Sequence, residues 1–276
     1  MELIKVLLLF CAALLITPKC IRATEGLLRE AGCTQKNYRG CEVVSEMGVL
    51  FIPILLILSS AGMLFFPAYN RIYSYHLLLV FIMGFAGLLD DLIGNKAIKG
   101  LRRHISQFFK GRLTTGFFKA FAGLFGSFIV SLQISSHISD FFLNICIMVL
   151  FTNALNLMDL RPGRCIKVFE VIGIVLILLN LRNIVLCIPL LILLTAAILY
   201  LRQDLKELCM LGDTGSNILG ITLGYFCVLS FGFIGKLVIF IILLLLNLAA
   251  EKVSISKIIS QNRILNYLDH LGRSSG

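Results

Sequence analysis

The amino-acid sequence predicts an all-α, polytopic membrane protein. Of its 276 residues 58% are hydrophobic and 14% charged, mean hydropathy is +0.95, and the apolar residues gather in windows long enough for helices to cross a hydrocarbon core about 30 Å thick. An average soluble domain is only about 45–50% apolar. The same composition excludes a disordered chain, and 23 Gly with 5 Pro exclude a collagen-like one. A chain of this length holds about nine or ten crossings with short connections, so residues 1–276 are read as a single membrane domain.

Nine windows fit a crossing: 4–18, 48–66, 74–92, 115–133, 138–158, 166–180, 183–200, 214–232 and 235–250. With the N-terminus outside, the inner segments are 19–47, 93–114, 159–165 with Lys167 just beyond, 201–213, and the tail from 251. They carry 20 of the 25 Lys and Arg. Basic residues collect on the cytoplasmic side, so the C-terminus is expected there. This also accounts for the net charge of +10 without a nucleic-acid partner. Lys5 precedes a short apolar run that ends Ile16-Thr17-Pro18-Lys19 with no small-x-small cleavage site, so the first window is expected to be an uncleaved helix. The nine cysteines form no CxxC pair, and five fall in inner segments; they are expected to be small apolar fillers rather than disulfides or zinc ligands.

Function is sought among the 15 acidic residues, because a carboxylate at membrane depth costs several kcal/mol unless it is paired, hydrated or metal-bound. Asp90 and Asp91 close the third window, Asp159 closes the fifth and Asp213 opens the eighth. All four fall at the predicted cytoplasmic ends of three helices. Asn153, Asn156 and Asp159 recur every three residues and share one helix side, and amide and carboxylate oxygens are the hard ligands that Mg²⁺ accepts. Asp213 stands where free N–H groups welcome a carboxylate cap or a phosphate. Asp90 and Asp91 are about 100° apart on their helix and can serve different partners. Taken singly, each acid is an ordinary cap and each Asn ordinary interhelical glue; the set predicts a carboxylate-lined cleft.

The loop before the fourth window is basic: Lys96, Lys99, Arg102, Arg103, His104, Lys110 and Arg112. These match the positive-inside signal and anionic headgroups. Lys119 lies about a turn inside that window, near the same surface as the acids, where it can pair with them or hold a phosphate as a point charge.

Four segments together resemble the polyprenyl-phosphate N-acetylhexosamine-1-phosphate transferases: Asn37-Tyr38-Arg39-Gly40, the Asp90-Asp91 pair, Asn153 to Asp159, and Leu211-Gly212-Asp213-Thr214-Gly215-Ser216. The resemblance implies transfer of a sugar phosphate from a UDP-sugar to polyprenyl phosphate, with release of UMP, at the inner face of the plasma membrane. It implies Mg²⁺, with Mn²⁺ as a substitute, held by Asp213, Asn156 and Asp159. Asp90, Asp91 and Asp159 would be the catalytic acids, and Lys119, Asn153, Asn156, Thr214 and Ser216 would meet the substrates. A homodimer stays open. The sequence departs from the family where Asp159 is followed by Leu160-Arg161-Pro162-Gly163-Arg164 instead of Gly-x-Asp-Gly, and where the tail holds only His270 in place of a His-rich motif. A tenth helix is also missing. Arg263 or Arg273 would then clamp the diphosphate or touch lipid headgroups. Two other readings stand beside the transferase: a transporter using the inner-face acids, and a family member that binds polyprenyl lipid without catalysis.

Overall fold

The computed structural model describes residues 1–37, 39–94 and 106–273. The protein is 82% helical, and a helix occupies each of the nine predicted windows: α1 (Glu2–Glu30), α2 (Phe51–Phe65), α3 (Asn70–Ile93), α4 (Thr115–Ile134), α5 (Ile138–Met158), α6 (Arg164–Leu179), α7 (Ile188–Leu205), α8 (Gly212–Ser230) and α9 (Phe233–Lys252). Between α1 and α2 lies an antiparallel hairpin of β1 (Thr34–Lys36) and β2 (Glu42–Val44). Two short helices, α10 (Ile255–Gln261) and α11 (Arg263–His270), follow α9.

Seven of these helical segments are long and apolar enough to cross a membrane, two fewer than expected. The exceptions are α6, whose 16 residues reach only about 24 Å at 1.5 Å per residue, and α8. The second exception has a physical reason. Every residue of α8 from Thr214 to Val228 is buried, because α3, α5 and α6 surround it. A helix that meets protein rather than lipid has no need of an apolar surface, so α8 can begin Gly212-Asp213-Thr214-Gly215-Ser216-Asn217.

The approach of the neighbours to α8 is set by absent side chains. A Cβ on Gly220 would lie 2.5 Å from the Thr152 Cα, and one on Gly224 would lie 2.7 Å from the Met148 Cα, both on α5. A Cβ on Gly87 of α3 would lie 2.6 Å from the Thr214 Cα. Small residues one turn apart allow backbone-to-backbone packing of this kind within membranes. The ends of α3 and α5 are thereby drawn onto the start of α8.

The first helix is longer than expected. It runs on to Glu30 with Pro18 inside it, although an internal proline removes one backbone hydrogen bond. Buried Thr17, Ile21, Thr24 and Leu28 continue the stripe begun by Val6, Leu9 and Ala13, and packing along α7 and α2 sustains the helix past the proline. Neither the hairpin nor the tail helices were expected. The hairpin holds the segment that enters α8: Met210 N–H donates to the Val44 carbonyl (2.8 Å), Met47 N–H to the Met210 carbonyl (3.1 Å) and Gly48 N–H to the Leu211 carbonyl (2.8 Å).

The tail is pinned by charge. Arg164, the first residue of α6, grips both carboxylate oxygens of Asp269 at 2.8 and 2.9 Å. Arg273 donates to the same carboxylate (2.8 Å) and to the Pro162 carbonyl (2.9 Å). Burial alone would raise the Asp269 carboxyl, but the hydrogen bonds and charges of Arg164 and Arg273 hold it below the usual carboxylate value. A depressed folded-state value means that the carboxylate stabilises the fold above the ordinary value near 3.9 and loses that contribution as pH falls through the lowered one. Asp269→Asn should therefore loosen the tail by about 3 kcal/mol at neutral pH, the scale for breaking a buried pair. Limited proteolysis should release residues 255–273 faster from the variant, and the difference should vanish in strong acid. Equal cleavage at neutral pH would contradict the clamp.

Candidate active site

The site is built at the first turn of α8. The helix opens with Gly212 at φ 76°, a left-handed conformation that L side chains rarely adopt, and a Cβ there would meet the Asp91 carboxylate. The Asp213 and Thr214 backbone N–H groups donate to Asp91 at 2.8 and 2.9 Å, and the Thr214 hydroxyl adds a third bond at 2.8 Å. Asp91 thus caps α8 from the end of α3, satisfying amides that lack partners at any helix start. The positive helix end that could have bound a phosphate is occupied by a side chain.

Asp90, one residue earlier, turns elsewhere. Lys119 Nζ lies 2.7 Å from Asp90 Oδ2 and 2.5 Å from Asp213 Oδ2, so one ammonium joins α3, α4 and α8. Asn156 of α5 completes the junction: in the amide orientation that satisfies its neighbours, it donates to Asp213 Oδ1 at 3.0 Å and accepts from Lys119 at 3.1 Å. Asp213 is the second residue of α8 and its side chain makes no cap.

Asp159 terminates α5. Its side chain makes no hydrogen bond among the described residues. Burial pushes its carboxyl well above the usual range, and the nearby charges of Asp204, Asp213 and Asp91 push in the same direction. Four carboxyl groups, those of Asp90, Asp91, Asp159 and Asp213, thus gather near the Lys119 ammonium. Among the described residues no three His, Cys, Asp or Glu side chains converge to hold a metal ion by themselves.

Other predicted residues are divided. Thr214 is spent on Asp91, and the Ser216 hydroxyl donates to the Asp213 carbonyl while lying 3.3 Å from the Asn156 amide. Asn153 instead donates to Asn247 of α9 at 2.6 Å, an interhelical bond. Asn37 forms a turn by accepting from the Arg39 and Cys41 N–H groups, and Arg39 pairs with Glu207 at 3.0 Å, just before α8. Tyr38, Asn95, Lys96, Lys99, Arg102, Arg103 and His104 lie outside the described residues. Arg263 is exposed, whereas Arg273 is taken by Asp269 and Pro162.

Of the buried acids that escaped the sequence reading, Asp204 and Glu46 lie beside the site. Asp204, in the last turn of α7, accepts from the Gly163 N–H at 2.6 Å and so fixes the loop that follows Asp159. Glu46 is 2% exposed, accepts from Gln35 and Ser45, and packs its backbone against Gly212. The available signal was position: Asp204 ends an apolar helix and Glu46 precedes one.

Carboxylates, an amide and a lysine thus meet where helix ends converge at one end of an apolar bundle. The chain belongs to Glycosyl transferase family 4, whose model matches residues 72–231, more than half of its length. It is thus a membrane glycosyltransferase of the type that joins a sugar phosphate to polyprenyl phosphate from a nucleotide sugar. No curated protein matches the chain.

The division of labour between the paired acids is testable. Asp91→Ala removes three hydrogen bonds at the start of α8 and should lower unfolding stability by about 1–2 kcal/mol, with a lower melting temperature in detergent. Asp90→Asn should leave melting nearly unchanged. Native-like melting of Asp91→Ala would remove the cap.

Proposed function

We propose that this protein transfers a phospho-sugar, N-acetylhexosamine-1-phosphate, from a UDP-sugar to undecaprenyl or another polyprenyl phosphate, releasing UMP for cell-envelope polymer synthesis. The observation that supports it is the Asp90–Lys119–Asp213 junction at the ends of membrane helices. There a lipid headgroup and a water-soluble nucleotide can meet. In the reaction an oxygen of the lipid phosphate bonds to the sugar-bearing phosphorus, and the bond to the UMP oxygen breaks with its electron pair leaving on UMP. Phosphoryl transfer of this kind is mainly positioning and charge neutralisation.

The residues fit Mg²⁺, or Mn²⁺ in its place. Mg²⁺ is commonly held by one or two carboxylates, with substrate phosphates and water completing its shell, which suits a site without a three-ligand cluster. Asp213, Asp159 and the Asn156 oxygen would hold it, Asp159 being the carboxylate without a hydrogen-bond partner. When bound, the ion neutralises charge on the diphosphate. Lys119 holds a phosphate oxygen as a point charge, Asp90 and Asn156 aim its ammonium, and Asp91 keeps the Asp213 backbone in place. An anionic phosphate nucleophile needs no strong base, so Asp90 acts in orienting charge. The site is assigned to the cytoplasmic face of the plasma membrane, on the support of the basic residues that share its end of the bundle. A transporter would place acids at mid-depth, whereas these sit at helix ends.

Purified protein with Mg²⁺, polyprenyl phosphate and a panel of UDP-sugars should release UMP. Asp213→Ala should lower the rate by several orders of magnitude, since each 1.36 kcal/mol is about tenfold. Lys119→Met should raise the apparent substrate constant more than it lowers the maximum rate. Absence of UMP from every UDP-sugar, together with cation flux altered by Asp90 or Asp91 substitution, would favour the transporter.

A further inference from the structure

The tail helix α11 docks the wrong way round for a protein in water. Asp269 and Asn266 lie on one side of it, and that side meets the protein through the buried Arg164–Asp269–Arg273 cluster. The opposite side carries Ile264 and Leu268, continued by Leu271 just past the helix end, with Tyr267 at its edge; Leu265, four residues before Asp269, flanks the protein side. All are exposed, Ile264 and Tyr267 by 71% and 66%. A surface helix normally buries its apolar stripe and offers its polar side to water. Here the polar side is bonded inward and the apolar side faces out, an arrangement that is stable only where the outside is apolar.

The position of the helix says what that outside is. The tail leaves α9 at Lys252, the end of a membrane-crossing helix, and is fastened at Arg164, six residues after α5 ends at Met158. Both fixed points lie at helix ends, and α9, which leads into the tail, buries only 17% of its apolar window. Exposed Lys252 and Lys257 earlier in the tail, and Arg263 at the start of α11, complement anionic headgroups. We infer that α11 lies in the headgroup boundary of the leaflet on the Asp213 side, its apolar face in the acyl region and its Asp269 face on the protein, as interfacial helices do. The partner is the lipid surface. The buried ion cluster is then covered by lipid, and the loop from Leu160 to Arg164 that follows Asp159 is held between the membrane and the bundle.

The chain contains no tryptophan, so a single introduced one reports alone. Leu268→Trp and Leu271→Trp change exposed residues and leave the Asp269 cluster intact. In vesicles of brominated phosphatidylcholine with anionic lipid, either tryptophan should lose most of its fluorescence relative to unbrominated vesicles and resist aqueous iodide. An Asn266→Trp control, on the protein side, should be quenched far less by the brominated lipid. Two outcomes would overturn the inference. Quenching by iodide but not by bromine places the face in water. Protection from both, with a cross-linked dimer through residue 268, assigns it to a second copy of the chain. Neither measurement depends on turnover, so failure of the proposed reaction leaves the test intact.

Discussion

Everything at the site depends on how closely α3 and α5 approach α8. With no side chain at Gly87, Gly220 and Gly224, the backbones pack nearly in contact, and the carboxylates and amide at the helix ends follow. An added methyl at any of these contacts must push a backbone away, since its distances of 2.5–2.7 Å fall well inside carbon–carbon contact. Such a shift would part Lys119 from Asp213 or Asp91 from the α8 amides. The helix that bears Asp213 is therefore buried along its length for the sake of precision rather than hydrophobicity. Its polar opening turn is tolerated because other helices, and not lipid, surround it.

Charge completes what packing begins. Asp91 stabilises the N-terminus of α8 by cross-helix hydrogen bonds, and Lys119 offsets the Asp90 and Asp213 charges. Burial and the nearby Asp204, Asp213 and Asp91 charges raise the Asp159 carboxyl, and in the proposed reaction a cation would take the place of its proton. The Asp204–Gly163 bond and the Arg164–Asp269–Arg273 clamp fix the segment after Asp159 from two sides. The departure from Gly-x-Asp-Gly thus brings its own structural partner: Arg164 holds the tail.

The places of the nine long helices, the shared end at which the acids collect and the approach of Lys119 to them were legible in the sequence, because apolar windows and the depth of charged residues are local properties. The adjacency of Asp90 and Asp91 foretold different partners through their 100° offset, yet which acid would cap and which would pair depends on the rotation of α3 against α8. Asn153 and Asn156 looked equivalent at a spacing of three. Three residues turn about 300°, leaving a 60° offset that is enough for Asn153 to meet α9 while Asn156 meets Lys119. The first apolar window closed at residue 18, whereas long-range packing carries α1 to Glu30. The partnership of Arg164 with Asp269 joins positions far apart in the chain and has no local signature.

In the proposed reaction this junction moves a sugar together with its phosphate. Nucleotide sugar labelled with radioactive phosphorus in the β-phosphate, incubated with the purified protein, Mg²⁺ and polyprenyl phosphate, tests it directly, because the label follows whichever bond breaks. Label is expected in the lipid phase as a polyprenyl diphosphate sugar, with unlabelled UMP in water. Label recovered in the aqueous phase as UDP would mean transfer of the sugar alone and would contradict it.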